Sequence, residues 1–291
     1  MTLPKFEYFA PESLEEALRL LMEIGDGAYL IAGGTDLLVK MRNRLLTPKA
    51  IIGLKKIKGL GRISFNKKEG LGIGATALLA DVASHSVVRK HYPAIAYAAG
   101  ETANVQIRNM GTVAGNLCNA APSADNAPIL IAMGAEVTLM SMKGERQIPL
   151  DQFFKGPGLT AIKPGEILTS IFVPLPPPRS GTSYQHISAR SKVDISAVGL
   201  GVMITMNGEA CKEASIALGA VAPTPIRAIN TERMVKGKRL SLQLLDKAGV
   251  RASKECSPIT DVRATAEYRK KMVAVLTKRA LIEAKGRALQ G

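Results

Sequence analysis

Two segments of this 291-residue chain carry residue types suited to holding an oxygen-rich anion rather than to breaking a bond. The first is Ala32-Gly33-Gly34-Thr35-Asp36, directly after the short apolar run Tyr29-Leu30-Ile31. Glycines at a strand-to-helix junction let the backbone approach a ligand closely, and successive N–H groups there form an anion-binding nest. A helix opening at Thr35 would aim its positive end at the same place. The plainer alternative is an ordinary tight turn. The second segment runs from Gly111-Thr112-Val113-Ala114-Gly115-Asn116 through Asp125. It is too apolar for disorder and reads as too broken by glycine and proline for a helix, so a buried loop around a ligand is expected. Thr112, Asn116, Asn119, Ser123 and Asp125 supply the hydroxyls, amides and carboxylate that a pyrophosphate and a polyol chain require. The alternative is a structural loop whose polar groups satisfy one another.

A third glycine cluster is a decoy. Gly72-Ile73-Gly74-Ala75-Thr76-Ala77 matches G-x-G-x-x-A, but a dinucleotide fingerprint must open a helix after a strand and be followed by an acidic residue ~20 positions on. Here the glycines fall within the strand, and the downstream residues are Val88-Arg89-Lys90-His91.

The elements that must position these segments are legible in outline. Ser13-Leu14-Glu15-Glu16 is a capping box, and Leu14, Ala17, Leu18 and Leu21 form one apolar stripe of a helix ending near Gly25. Tyr29–Ala32 and Ala50–Ile52 read as buried strands, with a helix through Leu37, Leu38 and Met41 between them. From Ile57 onward the pattern predicts strands at 71–75, 136–142 and 167–173, and helices at 78–88, 94–103 and 125–133. Pro174, Pro176, Pro177 and Pro178 then make a stiff connector and the best domain boundary. Beyond it come strands at 181–188, 197–206 and 211–221, with Asn207-Gly208 as a hairpin turn, and helical stretches at 226–236, 242–252 and 264–286. An antiparallel sheet followed by a helical bundle is an α+β arrangement.

Composition narrows the partners. The chain has 39 Lys and Arg against 24 Asp and Glu, a net charge of +15. Sixteen of those basic residues, against six acidic ones, lie in 227–291, where they read as solvated helix faces. Aromatics are 4% with no Trp, which leaves no platform for stacking bases. An acidic partner subunit or an anionic cofactor explains a basic surface as well as nucleic acid does. Three cysteines and three histidines are too few and too scattered for a disulfide framework or a metal centre. No apolar stretch approaches a membrane span and no signal peptide is read, so a cytoplasmic location is expected.

Taken in order, with Gln106-Ile107-Arg108-Asn109 ahead of the second, the two glycine segments resemble those of the FAD-binding medium subunit of molybdenum hydroxylases. That family includes xanthine dehydrogenase, carbon monoxide dehydrogenase and 4-hydroxybenzoyl-CoA reductase. The resemblance covers essentially the whole chain, including the Gly165-Glu166-Ile167-Leu168 entry to a strand. It implies a two-part FAD-binding domain of the vanillyl-alcohol oxidase / p-cresol methylhydroxylase type over 1–176, with subdomains of about 1–56 and 57–176. A flavoprotein C-terminal domain would follow over 180–291. It further implies that Leu30, Ile31, Ala32, Gly33, Gly34, Thr35 and Asp36 contact the FAD pyrophosphate, and that Thr112, Ala114, Gly115 and Asn116 form the second phosphate-side loop, with Asn119 nearby. Asp125 would bind ribityl or ribose hydroxyls, with Ala124 beside it; Leu168 would pack on the isoalloxazine; Thr102 and Ala103 would lie near the adenine.

Two positions depart from the family pattern. Ala114 replaces a glycine, which requires negative φ there. His186 stands where lysine is common near the flavin ring; its alternative is a half-buried strand histidine without a role, and Arg190 and Asp194 read as a structural ion pair. The first motif is most like that of the 4-hydroxybenzoyl-CoA reductase subunit. The cluster-bearing insertion of that subunit is missing here, so Cys118 reads as loop packing.

The resemblance implies an oxidoreductase subunit with non-covalent FAD, no metal and no catalytic acid or base of its own. Electrons would come from a small partner with two [2Fe-2S] clusters and pass to an external acceptor. A large partner would hold the molybdopterin cofactor, in a dimer of heterotrimers. The alternative is a self-contained FAD-dependent oxidase or reductase with its own substrate.

Overall fold

The computed structural model describes residues 2–189 and 194–290. Near the N-terminus lies a small α/β unit: β1 (Glu7–Phe9), α1 (Leu14–Ile24), β2 (Ala28–Ile31), α2 (Leu37–Arg42) and β3 (Ala50–Gly53). The three strands are parallel in the order β1-β3-β2. Ser13 Oγ accepts from Glu16 N at 3.1 Å, while the Glu16 carboxylate returns to Glu12 N rather than to Ser13 N. Gly25 ends α1 at φ +67°, a conformation that costs a residue with a Cβ.

The second unit comprises β4 (Ile63–Asn66), β5 (Gly70–Gly74), α3 (Leu79–Ser84), α4 (Ser86–His91), α5 (Pro93–Glu101), α6 (Val105–Arg108), α7 (Val113–Cys118), α8 (Asn126–Ala132), β6 (Glu136–Ser141), β7 (Gly144–Pro149), α9 (Leu150–Phe153), β8 (Phe154–Gly156), β9 (Leu159–Thr160) and β10 (Ile167–Pro174). Its five-stranded antiparallel sheet has the order β4-β5-β10-β6-β7. Gly72 and Gly74 lie inside β5, as the decoy reading required. The expected helix over 78–88 is two helices, because His85 adopts extended backbone between them. The expected loop at Gly111–Gly115 is also corrected: Thr112 Oγ1 accepts from Gly115 N at 2.8 Å and caps α7. Small residues that suggested a loop instead let a short helix pack tightly, with Val113, Ala114 and Leu117 buried.

After the proline connector come β11 (Ser180–Ile187), β12 (Val198–Asn207), β13 (Ala210–Gly219), β14 (Ile226–Arg227), α10 (Ile229–Val235), α11 (Leu242–Ser253) and α12 (Ala266–Gln290). The sheet is antiparallel in sequence order. Asn207 pairs with Ala210, so the hairpin turn is Gly208-Glu209, with Gly208 at φ +58° and Asn207 still in the strand. Helix α12 lies on β11 so closely that a Cβ at Gly181 would collide with the Ala284 carbonyl.

Candidate functional site

The two glycine segments face each other. Strand β2 ends at Ile31, the chain bends through Ala32–Asp36 with Gly34 at φ +74°, and α2 starts at Leu37. Asp36 precedes α2 without making a side-chain cap. Its Oδ1 accepts from Asn119 Nδ2 at 3.0 Å, and Asn119 Oδ1 accepts from Lys40 Nζ at 2.7 Å. Burial raises the Asp36 carboxyl above its ordinary range, and Lys40 opposes that rise. Gly33 is required for a different approach from the one expected: a Cβ there would strike the Met110 carbonyl and stand 2.7 Å from Gly111 Cα. The glycine thus brings the segments together before any ligand is considered. The N–H groups of Gly33, Gly34, Thr35 and Asp36 donate to no acceptor among the described residues.

Thr102 joins the second segment through a residue that sequence reasoning missed. Asn126, only 1% exposed, donates from Nδ2 to Thr102 Oγ1 at 3.1 Å and to Asn116 Oδ1 at 3.2 Å. Its own Oδ1 is buried without a partner. Arg108 donates to the carbonyls of Thr102 and Ala103 at 3.1 and 2.5 Å, which stabilises Ala103 at φ +49°. Ala114 has negative φ within α7, so its methyl is accommodated.

Asp125 and Ala124 lie where the helical layer meets the C-terminal sheet. Asp125 Oδ1 accepts from Ser196 Oγ at 2.6 Å and from Tyr184 OH at 3.2 Å, leaving Oδ2 for another donor. Burial pushes the Asp125 carboxyl up, against the opposing effects of Ser196, His186 and Tyr184. His186 on β11 places Nδ1 3.4 Å from Ser196 Oγ and Nε2 3.5 Å from Glu101 Oε2, and its ring stacks on Tyr184. Tyr184, Ser196 and Glu101 carried no motif in the sequence; strand register and helix packing bring them here. The expected Arg190–Asp194 pair falls partly outside the described residues.

Leu168 is buried in β10, in the same hydrophobic cluster as Ala114, Leu117 and Ala124. The strand is set by Glu166, which accepts from Arg146 at 2.6 and 2.7 Å and from Lys163 N at 2.7 Å. The Arg146 hydrogen bond holds the Glu166 carboxyl below its usual range. A bulge between Leu168 and Ser170 sends the Thr169 carbonyl to Ala75 N. Burial pushes the Cys118 thiol up to about 12, which makes it a poor nucleophile.

A model of the FAD-binding domain in molybdopterin dehydrogenase matches residues 4–176, and one of the CO dehydrogenase flavoprotein C-terminal domain matches 183–284. The chain belongs to the FAD-binding medium subunits of the molybdenum hydroxylases. It is 35% identical over 285 residues to the carbon monoxide dehydrogenase medium chain of Afipia carboxidovorans, covering 97% of this chain and 98% of that one. It is 32% identical over 280 residues to the glyceraldehyde dehydrogenase medium chain of Sulfolobus acidocaldarius, covering 96% and 98%. A chain of reconstituted CO dehydrogenase from Oligotropha carboxidovorans superposes with a TM-score of 0.94 at 34% identity, over 99% of this chain and all of that one. This medium subunit is therefore part of an oxidoreductase whose cofactor is FAD.

Its residues suit that cofactor. Four consecutive unpaired N–H groups match a pyrophosphate. The Asp125 Oδ2 and the buried, unpartnered Asn126 Oδ1 are acceptors matched to sugar hydroxyls. No helix among the described residues is long and apolar enough to cross a membrane.

Proposed function

We propose that this medium subunit carries electrons from a small [2Fe-2S] partner through non-covalently held FAD to an external acceptor, while a large partner with the molybdenum cofactor oxidises the substrate. The assembly is a dimer of heterotrimers in the cytoplasm. The FAD-binding domain spans 1–176, with its two parts meeting near residue 56, and the C-terminal domain spans 180–291.

The observation that carries this reading is the run of unpaired N–H groups at Gly33–Asp36 apposed to the capped turn at Thr112. These donors hold the pyrophosphate, and Thr35 stands beside Gly111 where the segments meet. Asp125 Oδ2 accepts from a ribityl or ribose hydroxyl. Thr102 and Ala103 line the adenine side, and Asn116 is aligned by its bonds from Asn126. Leu168 excludes water from the ring, and His186 places its imidazole near it. When bound, FAD supplies the redox chemistry that connects one-electron iron–sulfur carriers to a two-electron acceptor.

Titrating the whole chain with FAD while following flavin fluorescence should give saturable one-to-one binding that Asp125→Ala weakens. All flavin should leave the polypeptide on acid denaturation. Colour retained on the denatured chain would exclude the non-covalent assignment, and unchanged affinity in Asp125→Ala would exclude that residue's role.

A further inference from the structure

Arg269 lies in the first turns of α12, in the most basic part of the chain, yet its side chain is only 3% exposed. A guanidinium so enclosed needs acceptors for its donors to offset the loss of water; both Nη groups find them, while Nε is buried without a partner among the described residues. Nη1 donates to two backbone carbonyls, Ala197 at 2.7 Å and Ala220 at 2.9 Å, and Nη2 donates to Asp261 Oδ1 at 2.7 Å. Asp261 is itself fixed by Arg263 N at 2.8 Å.

Each carbonyl begins a route to the same short loop. Ala197 follows Ser196, whose hydroxyl donates to Asp125 Oδ1 at 2.6 Å. Ala220 donates its own N–H to the Pro122 carbonyl at 2.7 Å, and it does so at φ +63°. That left-handed conformation is strained for a residue with a Cβ and persists only where surrounding bonds hold it. Arg269 thus grips the ends of β12 and β13 where they meet the Pro122–Asp125 loop from two sides.

We propose that Arg269 is a positioning residue for FAD binding. By fixing the Ala197 and Ala220 carbonyls it holds Ser196 and the Pro122 turn so that Asp125 spends Oδ1 on the protein and presents Oδ2 to a sugar hydroxyl. The inference rests on the reading of Asp125 given above. It assigns to the C-terminal helix, remote in sequence from both glycine segments, a direct share in shaping the cofactor site.

A double-mutant cycle on the full-length chain tests it, with FAD dissociation constants from fluorescence and thermal unfolding of each variant as the fold control. Lysine keeps the charge of Arg269 but cannot reproduce the planar two-nitrogen fork. Arg269→Lys should weaken FAD binding about tenfold in the wild-type background. In the Asp125→Ala background it should weaken binding less than twofold, because the group it positions is gone. An equal loss in both backgrounds, or no loss in the first, would overturn the proposal. If Asp125→Ala alone leaves FAD affinity unchanged, the reading of Asp125 falls first. Should Arg269→Lys not fold, Ser196→Ala breaks only the last link of one route. It must then show the same dependence on Asp125 for the proposal to stand.

Discussion

Gly201 on β12 lies directly against Ile129 on α8: a Cβ at position 201 would stand 2.5 Å from both the backbone nitrogen and Cα of Ile129. Gly219 on β13 lies against the neighbouring proline ring, with its missing Cβ 2.8 Å from Pro128 Cγ. At Gly201 the C-terminal sheet therefore meets the helix that follows Asp125 at backbone level. Gly201→Ala should destabilise the chain by about 2 kcal/mol, as overpacking does elsewhere, and should lower FAD affinity together with the unfolding midpoint. A folded variant with an unchanged midpoint would show that the contact yields without cost.

The two adjacent glycines of the first segment should separate in their effects. A methyl at Gly33 meets backbone, the Met110 carbonyl, which cannot rotate away. A methyl at Gly34 meets the tip of Ile31, 2.9 Å away, and instead suffers from φ +74°. Gly34→Ala should cost about 1–2 kcal/mol of stability and retain measurable FAD binding. Gly33→Ala should prise the segments apart, abolish FAD binding and speed amide exchange over 110–116. The reverse order of effects would refute the apposition.

Much of this site is legible in the sequence because glycine, proline and small polar residues constrain the backbone locally. The turn after β2, the proline connector and the three long strands of the C-terminal sheet follow from such signals. Helix α7 does not, since its small residues read as a loop until the Thr112 cap is seen. Tyr184 is silent because only strand register delivers it to Asp125, Ser196 because only the fold brings the segment ahead of β12 there, and Asn126 is masked by its conspicuous neighbour. Arg269 misleads outright. In a run of basic residues it reads as solvated, whereas tertiary packing buries it on two carbonyls.

Asp125 should show a conflict between stability and binding. Burial raises its folded-state pKa, so between the unfolded and folded values the native state binds the proton more tightly. Stability attached to this group is then greatest at low pH and is lost as pH rises through the folded pKa. Asp125→Asn removes that penalty while keeping an oxygen for Ser196. At pH 7 the flavin-free variant should unfold at a higher temperature than wild type and yet bind FAD more weakly. A variant less stable than wild type at pH 7 would contradict the burial argument.

Asp261 should behave with the opposite sign. Burial pushes its carboxyl up, but the Arg263 N–H, the Arg269 guanidinium and the Ala264 N–H outweigh that and hold it at about 2. A depressed pKa contributes stability that is present above the unfolded value of 3.8 and lost as pH falls through the folded one. Asp261→Asn should cost about 2 kcal/mol at pH 6, the range for hydrogen bonds to a charged group. In urea unfolding the gap from wild type should hold down to about pH 4 and narrow below it. A gap independent of pH from 6 to 3 would show that the carboxylate's charge is not what stabilises.

His186 sits between Ser196 and Glu101. Ser196 has one proton and gives it to Asp125 at 2.6 Å, so toward His186 Nδ1 its oxygen can only accept. Nε2 faces the Glu101 carboxylate at 3.5 Å. Both ring nitrogens thus face oxygen atoms of neighbouring side chains. A lysine ammonium carries its charge throughout the physiological range. A fixed cation beside a bound flavin would favour the reduced form. Spectroelectrochemistry should therefore separate the flavin potentials of wild type and His186→Lys. The variant's potential should be the higher of the two. Equal potentials would mean that His186 does not sense the flavin and serves only to connect Glu101 to Ser196.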